Sequence, residues 1–83
     1  MTLDDLMQAE KRTVGVKQTE KAVAKGTALK VFVAKDADER VTEKLVELCE
    51  EKAVSVVMVE TMHELGKACG IHVKAAAAAI LNS

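Results

Sequence analysis

Apolar residues in the first third of the chain recur at helical spacing and are interrupted by small and polar residues. This spacing predicts a short helix over Leu3–Lys11 and a second helix over Val16–Lys25. Gly15 precedes the second helix, and Gly26 follows it at the position where a left-handed residue commonly ends a helix. A brief strand over Thr13–Gly15 is predicted between the two helices.

Two stretches in the middle of the chain are almost continuously apolar and rich in β-branched residues, Leu29–Ala34 and Val54–Val59. Runs of this length and composition are typical of strands that helices cover on both faces of a sheet. We therefore expect two buried strands, with Leu29–Ala34 at the centre of the sheet.

A third helix is predicted between these strands, because Asp38 ends a polar turn and can cap the helix that follows. The apolar residues of this helix form a stripe that we expect to face the core: Val41, Leu45, Leu48 and Cys49. Its acidic residues face away from that stripe: Glu43, Glu47, Glu50 and Glu51. The simplest interpretation is that this acidic face is exposed to solvent, since charged outer faces are normal on surface helices.

Thr61 and Glu64 have the spacing of a capping box, which predicts a fourth helix that ends at Gly70. The last segment, Val73–Leu81, contains a run of alanines that favours a helix by propensity. The same run fits a strand whose small side chains let flanking helices approach closely, and we predict the strand. Helices that alternate with buried strands predict an α/β fold, a three-layer α/β/α sandwich.

Composition is that of one globular domain spanning residues 1–83. The apolar share is 49% and the charged share is 30%, far from the balance that is typical of disorder. No apolar run reaches the roughly 18 residues of a membrane span, and Asp4 and Asp5 replace the positive start of a secretory signal. We therefore expect a cytoplasmic protein that does not contact membranes.

The sequence contains no set of residues typical of a catalytic or metal site. Cys49 and Cys69 have no CxxC spacing, and His63 and His72 do not complete a zinc ligand pattern with them. Both cysteines are expected to be small core residues with free thiols. Hydrolase and phosphate-binding motifs are also missing, so we predict a non-enzymatic protein without metal or cofactor.

Charge is unevenly distributed, although the formal net charge is only -1. Residues 1–35 carry seven Lys and Arg against four Asp and Glu, whereas residues 36–60 carry three against eight. This asymmetry predicts a basic side and an acidic side, and only the basic side would attract a polyanion.

The predicted second helix concentrates the features that suit RNA. Lys17, Lys21 and Lys25 are four residues apart and so share one helix face. That face starts behind Gly15, where free backbone N–H groups and the positive end of the helix dipole favour a phosphate. Gln18 has both a donor and an acceptor for a base edge. These features alone fit RNA binding and a solvated lysine face equally well.

The single aromatic residue, Phe32, lies within a predicted buried strand. Stacking of bases on exposed aromatic rings, the usual means of binding single strands, is therefore not expected. A structured RNA, recognised through its shape, phosphates and base edges, is the better hypothesis.

Four ordered blocks of sequence resemble the kink-turn-binding ribosomal proteins of the L7Ae family, and especially their short bacterial YbxF-type members. The blocks run from residues 15 to 21, 33 to 38, 48 to 51 and 65 to 71. The resemblance extends from about Thr13 to Ile80. It implies an α/β/α sandwich with a four-stranded mixed sheet, which supports a strand for the alanine run.

The resemblance also implies the partner and the binding residues. Members of this family bind the sharply bent kink-turn, with the start of the second helix against tandem sheared G·A pairs and a hydrophobic loop over an extruded nucleotide. Structured RNA, either ribosomal RNA or a riboswitch, is the implied partner of a monomeric protein that associates with ribosomes. Carried over by position, the RNA-binding residues are Gly15, Lys17, Gln18, Lys21, Asp38, Ile71, His72 and Val73. Among them, Asp38 stands where the resemblance implies an acidic residue that contacts a guanine.

The sequence departs from the family pattern in two places. Lys17 and Gln18 stand where many members have Asn-Glu, which changes the base donors that can be paired. Arg40 and Val41 follow Asp38 and Glu39 without the proline that is common at this point, near the start of the third helix. A second hypothesis is kept beside RNA binding: an adaptor that docks a protein through the acidic face of the third helix.

Overall fold

The computed structural model describes residues 3–71 and 73–82, and they form four helices around a four-stranded sheet. The helices and strands follow one another as α1 (Leu3–Gln8), β1 (Arg12–Val14), α2 (Val16–Lys25), β2 (Ala28–Ala34), α3 (Glu39–Glu51), β3 (Ser55–Val59), α4 (Met62–Ala68) and β4 (Ala77–Leu81).

The sheet is mixed and has the strand order β1-β4-β2-β3. Strands β2 and β3 are parallel, whereas β4 is antiparallel to both β1 and β2. The two central strands, β2 and β4, are therefore those with the most continuous apolar or alanine sequence, as expected for strands buried on both faces. The prediction of a four-stranded mixed sheet is confirmed.

Two apolar clusters lie on opposite faces of this sheet and make the protein three layers thick. Alternation along β2 sends Phe32 towards α1 and α4, whereas Val31 and Val33 face α2 and α3. Ala78 and its neighbour Ala77 divide in the same way between the two clusters. The predicted three-layer α/β/α sandwich is thus confirmed.

The alanine run forms a strand, but only from Ala77 onwards. Ala77, Ala78 and Ala79 have no exposed surface because helices cover both of their faces. Burial here outweighs the helix propensity of alanine, which amounts to tenths of a kcal/mol per residue, about 0.7 at most for ordinary residues. Residues 73–76, which the sequence analysis included in the strand, form the approach to it.

Strand β3 is not buried on both faces as predicted. It runs from Ser55 to Val59 at the edge of the sheet, where it has a neighbour on one side only. Met58 is 49% exposed, and within this strand Val59 alone is buried.

Two other apolar residues expected in the core are exposed. Val41 is 48% exposed and Thr42, 100° further around α3, is buried in its place. Leu29 is 57% exposed because a register shift between Ala28 and Lys30 disrupts its pairing with β4. Such a bulge re-aims side chains, and Lys30 is buried instead.

Boundaries near the N-terminus also differ from the prediction. Helix α1 ends at Gln8 rather than Lys11, and β1 covers Arg12–Val14 rather than Thr13–Gly15. The guanidinium of Arg12 donates to the carbonyls of Leu6 and Met7, both at 3.1 Å, and so satisfies the last carbonyls of α1.

Further along the chain, the predicted end of α2 and the predicted caps of α3 and α4 are confirmed, whereas α4 ends at Ala68 and Gly70 lies in the turn after it. Gly26 ends α2 with a left-handed backbone, φ 77°. Asp38 caps α3, and the Thr61 hydroxyl accepts from the Glu64 amide at 3.0 Å.

Candidate nucleic-acid interface

One end of the sheet gathers most of the residues predicted to bind RNA. Strands β1, β2 and β3 all finish at this end and β4 begins there, as the pairs Val14 with Ala78 and Ala34 with Val59 show. The amide of Gly15 donates to the carbonyl of Ala77 at 2.8 Å, which fixes the turn into α2. We call this end of the sheet the site edge. The starts of α2, α3 and α4 all leave from it.

The start of α2 presents unpaired backbone amides at the site edge. Gly15 has φ 103°, a conformation that other residues rarely adopt, and no described side chain caps the helix. The first helical hydrogen bond runs from the Thr19 amide to the Gly15 carbonyl at 3.0 Å, so the three preceding amides lie before it. A Cβ built on Gly15 would have no heavy atom within 4 Å. The helix start is therefore open to a phosphate.

The lysine stripe of α2 is exposed as predicted. Lys17, Gln18, Lys21 and Lys25 are all exposed, while Thr19 and other residues on the opposite side of the helix are buried. None of the three lysines pairs with a described acidic residue in an ion pair. Where α2 meets α3, a shallow groove is lined by Lys17, Glu20, Lys21, Ala24 and Leu48. Glu20 tempers the positive charge of that groove without cancelling it.

The turns beside α2 are held together by polar contacts. The carboxylate of Asp36 accepts from the Met62 amide at 2.7 Å and so joins the turn before α3 to the start of α4. The Lys35 ammonium pairs with Glu60 across the same two turns at 2.8 Å. The predicted site residue Asp38 lies at the start of α3, where its carboxylate accepts from the Arg40 amide at 2.9 Å.

The loop that precedes β4 lies along α4. Val73 is 69% exposed, whereas Ile71 is half-buried against the cluster of α1 and α4. A loop that covers an extruded nucleotide needs exposed side chains, and this condition is met by Val73 and only in part by Ile71. His72, the third residue predicted for this loop, lies outside the described residues. Ile71 and Val73 line an open groove of about 440 Å³ with three other described residues, His63, Lys67 and Gly70.

Backbone contacts hold this loop against the helix. The Ile71 amide donates to the Gly66 carbonyl, and the Ala75 amide donates to the Met62 carbonyl, both at 3.1 Å. A Cβ at Gly66 would overlap the carbonyl oxygen of Val73, so only glycine lets the loop approach α4 this closely.

The two cysteines lie on opposite sides of the sheet and cannot share a metal ion. Cys49 belongs to the cluster of α2 and α3, and Cys69 to the cluster of α1 and α4. Burial raises the pKa of both thiols, although the nearby Arg12 guanidinium lowers the pKa of Cys69 in part. Both are free, buried thiols, as expected from the sequence. Among the described residues, no helix has the length and apolar character needed to cross a bilayer.

The sequence matches the profile of the ribosomal protein L7Ae/L30e/S12e/Gadd45 family over residues 1–83. The chain belongs to this family. The resemblance seen in the four sequence blocks is therefore confirmed.

Relatives of similar chain length are bacterial RNA-binding proteins. An RNA-binding protein of Caldanaerobacter subterraneus is 54% identical over 69 residues, which are 83% of the chain and 84% of that relative. The RNA-binding protein YbxF of Geobacillus stearothermophilus is 46% identical over 81 residues, 98% of the chain and 99% of that relative.

A longer ribosomal protein matches in sequence, and a longer RNA-binding protein matches in structure. Large ribosomal subunit protein eL8 of Haloquadratum walsbyi is 43% identical over 70 residues, 83% of the chain but 58% of that protein. The solved structure of the 15.5kD RNA binding protein of Giardia lamblia superposes with a TM-score of 0.88 and 30% identity. The superposition covers 98% of the chain and 71% of that protein.

Three residues that lie near this interface were not predicted from the sequence: His63, Lys67 and Arg12. Lys67 and His63 are one helical turn apart on α4 and line the groove beside the loop. Their spacing places them on one face of the helix, but that this face meets the loop depends on the path of the loop. Arg12 donates to the Cys69 carbonyl at 3.2 Å as well as to α1, and so holds the end of α4 just before Gly70. Nothing local in the sequence indicates that contact, because 57 residues separate the partners.

Proposed function

We propose that this protein is a non-catalytic RNA-binding protein that recognises kink-turns in structured RNA. The observation that carries the proposal is the open, uncapped start of α2, whose first amides and exposed lysines face outwards at one end of the sheet. Relatives that match nearly the whole chain are RNA-binding proteins, which supports the same function here.

Each group at the site edge has a role in this proposal. Gly15 lets the RNA backbone approach the first amides of α2, and Lys17 and Lys21 neutralise phosphates beside them. The Gln18 amide pairs with a base edge at the G·A pairs. Val73 covers an extruded nucleotide, together with the exposed part of Ile71 and with His72. Because Phe32 is fully buried, stacking on it cannot contribute.

The natural partner in this proposal is a ribosomal RNA or riboswitch that contains a kink-turn. The protein acts on it as a cytoplasmic monomer and associates with ribosomes through that RNA. A protein adaptor is the competing function, because the four glutamates of α3 named above are all exposed.

A gel shift with two matched RNAs tests the proposal. One RNA contains a kink-turn, and in the other the G·A pairs are replaced by Watson–Crick pairs. The kink-turn RNA is expected to bind more tightly, since the bend brings phosphates and base edges to the same protein surface. Equal binding of the two RNAs would contradict kink-turn recognition, and no binding to either would favour the adaptor.

Substitution of Gln18 tests the base contact within the same assay. Gln18→Ala is expected to reduce the preference for the kink-turn RNA, since a good base-edge pair contributes about 1–3 kcal/mol of discrimination in the better-studied DNA complexes. Lys25→Ala is the matched control on the same exposed face. It should weaken both RNAs about equally, because a distal lysine contacts phosphate. Equal behaviour of the two variants would show that Gln18 does not pair with a base.

A further inference from the structure

We propose that Arg40 contacts the phosphate backbone of the bound RNA and that Asp38 is a positioning residue, which holds the Arg40 side chain rather than pairing with a guanine. This inference rests on the proposed RNA-binding function and assigns a further residue to the same interface.

The carboxylate of Asp38 is already engaged by three donors. Its Oδ1 accepts from the Arg40 amide at 2.9 Å, which caps α3, and from Arg40 Nε at 3.4 Å. Its Oδ2 accepts from Arg40 Nη2 at 3.3 Å. A carboxylate has about four lone-pair sites, so little accepting capacity is left for a base.

The guanidinium of Arg40, in contrast, keeps donors that point to solvent. An arginine has five N–H donors, and the pair with Asp38 uses two of them. The Arg40 side chain is 90% exposed, whereas that of Asp38 is 51% exposed. A planar guanidinium held at one side by a carboxylate presents its other side to a phosphate, for which its geometry is well suited.

Electrostatics around the start of α3 favour the same assignment. Asp36, Asp38, Glu39 and Glu43 lie within one short stretch and would repel RNA. Arg40 is the cation of this stretch, since Lys35, just before it, is paired with Glu60. Because α3 starts at the same end of the sheet as α2, an RNA docked on the lysine stripe passes close to this acidic turn. Arg40 therefore offsets part of the negative charge of this turn and offers a phosphate the donors that Asp38 does not use.

The experiment measures affinity for the two RNAs of the gel shift at several salt concentrations between 50 and 200 mM. Arg40→Gln is expected to weaken both RNAs about threefold or more and to lower the salt slope by about one, the signature of a lost phosphate contact. Arg40→Lys should keep the slope, because it keeps the charge. Lys44→Gln, an exposed lysine one turn further along α3, is the control and should change neither quantity.

Asp38→Asn separates positioning from base contact, because asparagine retains the helix cap but not the charge. The preference for the kink-turn RNA should be unchanged, and the double variant should bind no more weakly than Arg40→Gln alone. A lower preference in both backgrounds would overturn the positioning role of Asp38. Arg40→Gln behaving like Lys44→Gln would overturn the Arg40 contact. Failure of kink-turn recognition itself is a distinct result, since the unsubstituted protein would then bind both RNAs equally.

Discussion

The side chains at the start of α2 divide between solvent and core within a single turn. Lys17 and Gln18 are exposed, while the next residue, Thr19, has no exposed surface. Among the polar side-chain atoms that the structure describes, the Thr19 hydroxyl oxygen is buried without a hydrogen-bond partner. Burial of a hydroxyl without compensation destabilises the folded state.

Replacement of Thr19 by valine should therefore stabilise the protein. Valine has the same branched shape, and removal of the buried, unpaired hydroxyl should raise the free energy of unfolding by about 1 kcal/mol. Thermal unfolding measures the change, which corresponds to roughly 4–8 °C in Tm for a chain of this size. Thr42→Val is the control, since Thr42 is a buried threonine of α3 that keeps 7% exposure and whose hydroxyl is not among the described atoms that are both buried and unpartnered, so it should show a smaller gain. A fall in Tm for Thr19→Val would mean that the hydroxyl is bonded in the folded protein.

Local features of the site were predictable from sequence, whereas contacts between distant segments were not. Lys17 and Lys21 share an exposed face because they are four residues apart, and Gln18 adjoins that face. This pattern involves only one helix. The overlap of a Gly66 Cβ with the Val73 carbonyl depends on how the following loop folds back, and helical spacing contains no information about that. For the same reason the sequence indicated no role for Arg12.

Among the helices and strands, too, local features were predictable from sequence, whereas features that depend on distant segments were not. Strand β2 was predictable because four consecutive buried residues, Val31–Ala34, are apolar on both faces. The bulge that exposes Leu29 was not, because it depends on pairing with β4, some fifty positions later in the chain. The rotation of α3 that buries Thr42 instead of Val41 was also not predictable, since both residues fit a helical stripe.

The loop before β4 is the element whose contribution to binding can be separated from its contribution to stability. Val73→Ala is expected to weaken kink-turn binding with almost no change in Tm, because the side chain is 69% exposed. Ile71→Ala should weaken binding and also lower stability, by well under the 2–5 kcal/mol typical of a fully buried isoleucine. Affinity and Tm are measured on the same samples.

Leu29→Ala provides the matched control for that loop. Leu29 is an exposed apolar residue like Val73, but it lies at the opposite end of the sheet, where β2 begins. Its removal should leave affinity unchanged. Loss of stability without loss of affinity in Val73→Ala would refute a covering role for the loop.

At the scale of the whole molecule, the uneven charge of the sequence does not produce two opposite sides. The basic helix α2 and the acidic helix α3 pack side by side on the same face of the sheet, around a shared cluster with Val23 and Leu45. RNA that approaches this broad face would meet both charges. At the end of the sheet where α2 starts, RNA would meet the free amides of that helix first, and the acidic turns before α3 and α4 lie beside them.

Salt dependence should therefore report only a few cations. Lys21→Ala is expected to weaken RNA binding and to lower the slope of log affinity against log salt by about one, because one phosphate contact is lost. Lys44→Ala and Lys52→Ala remove the same charge from exposed positions on α3 and just after it, and should leave the slope nearly unchanged. Titration of each variant between 50 and 200 mM salt measures the slopes. Equal losses for Lys21→Ala, Lys44→Ala and Lys52→Ala would place the RNA across the α2–α3 face. A slope near zero in the unsubstituted protein would remove α2 as the docking helix.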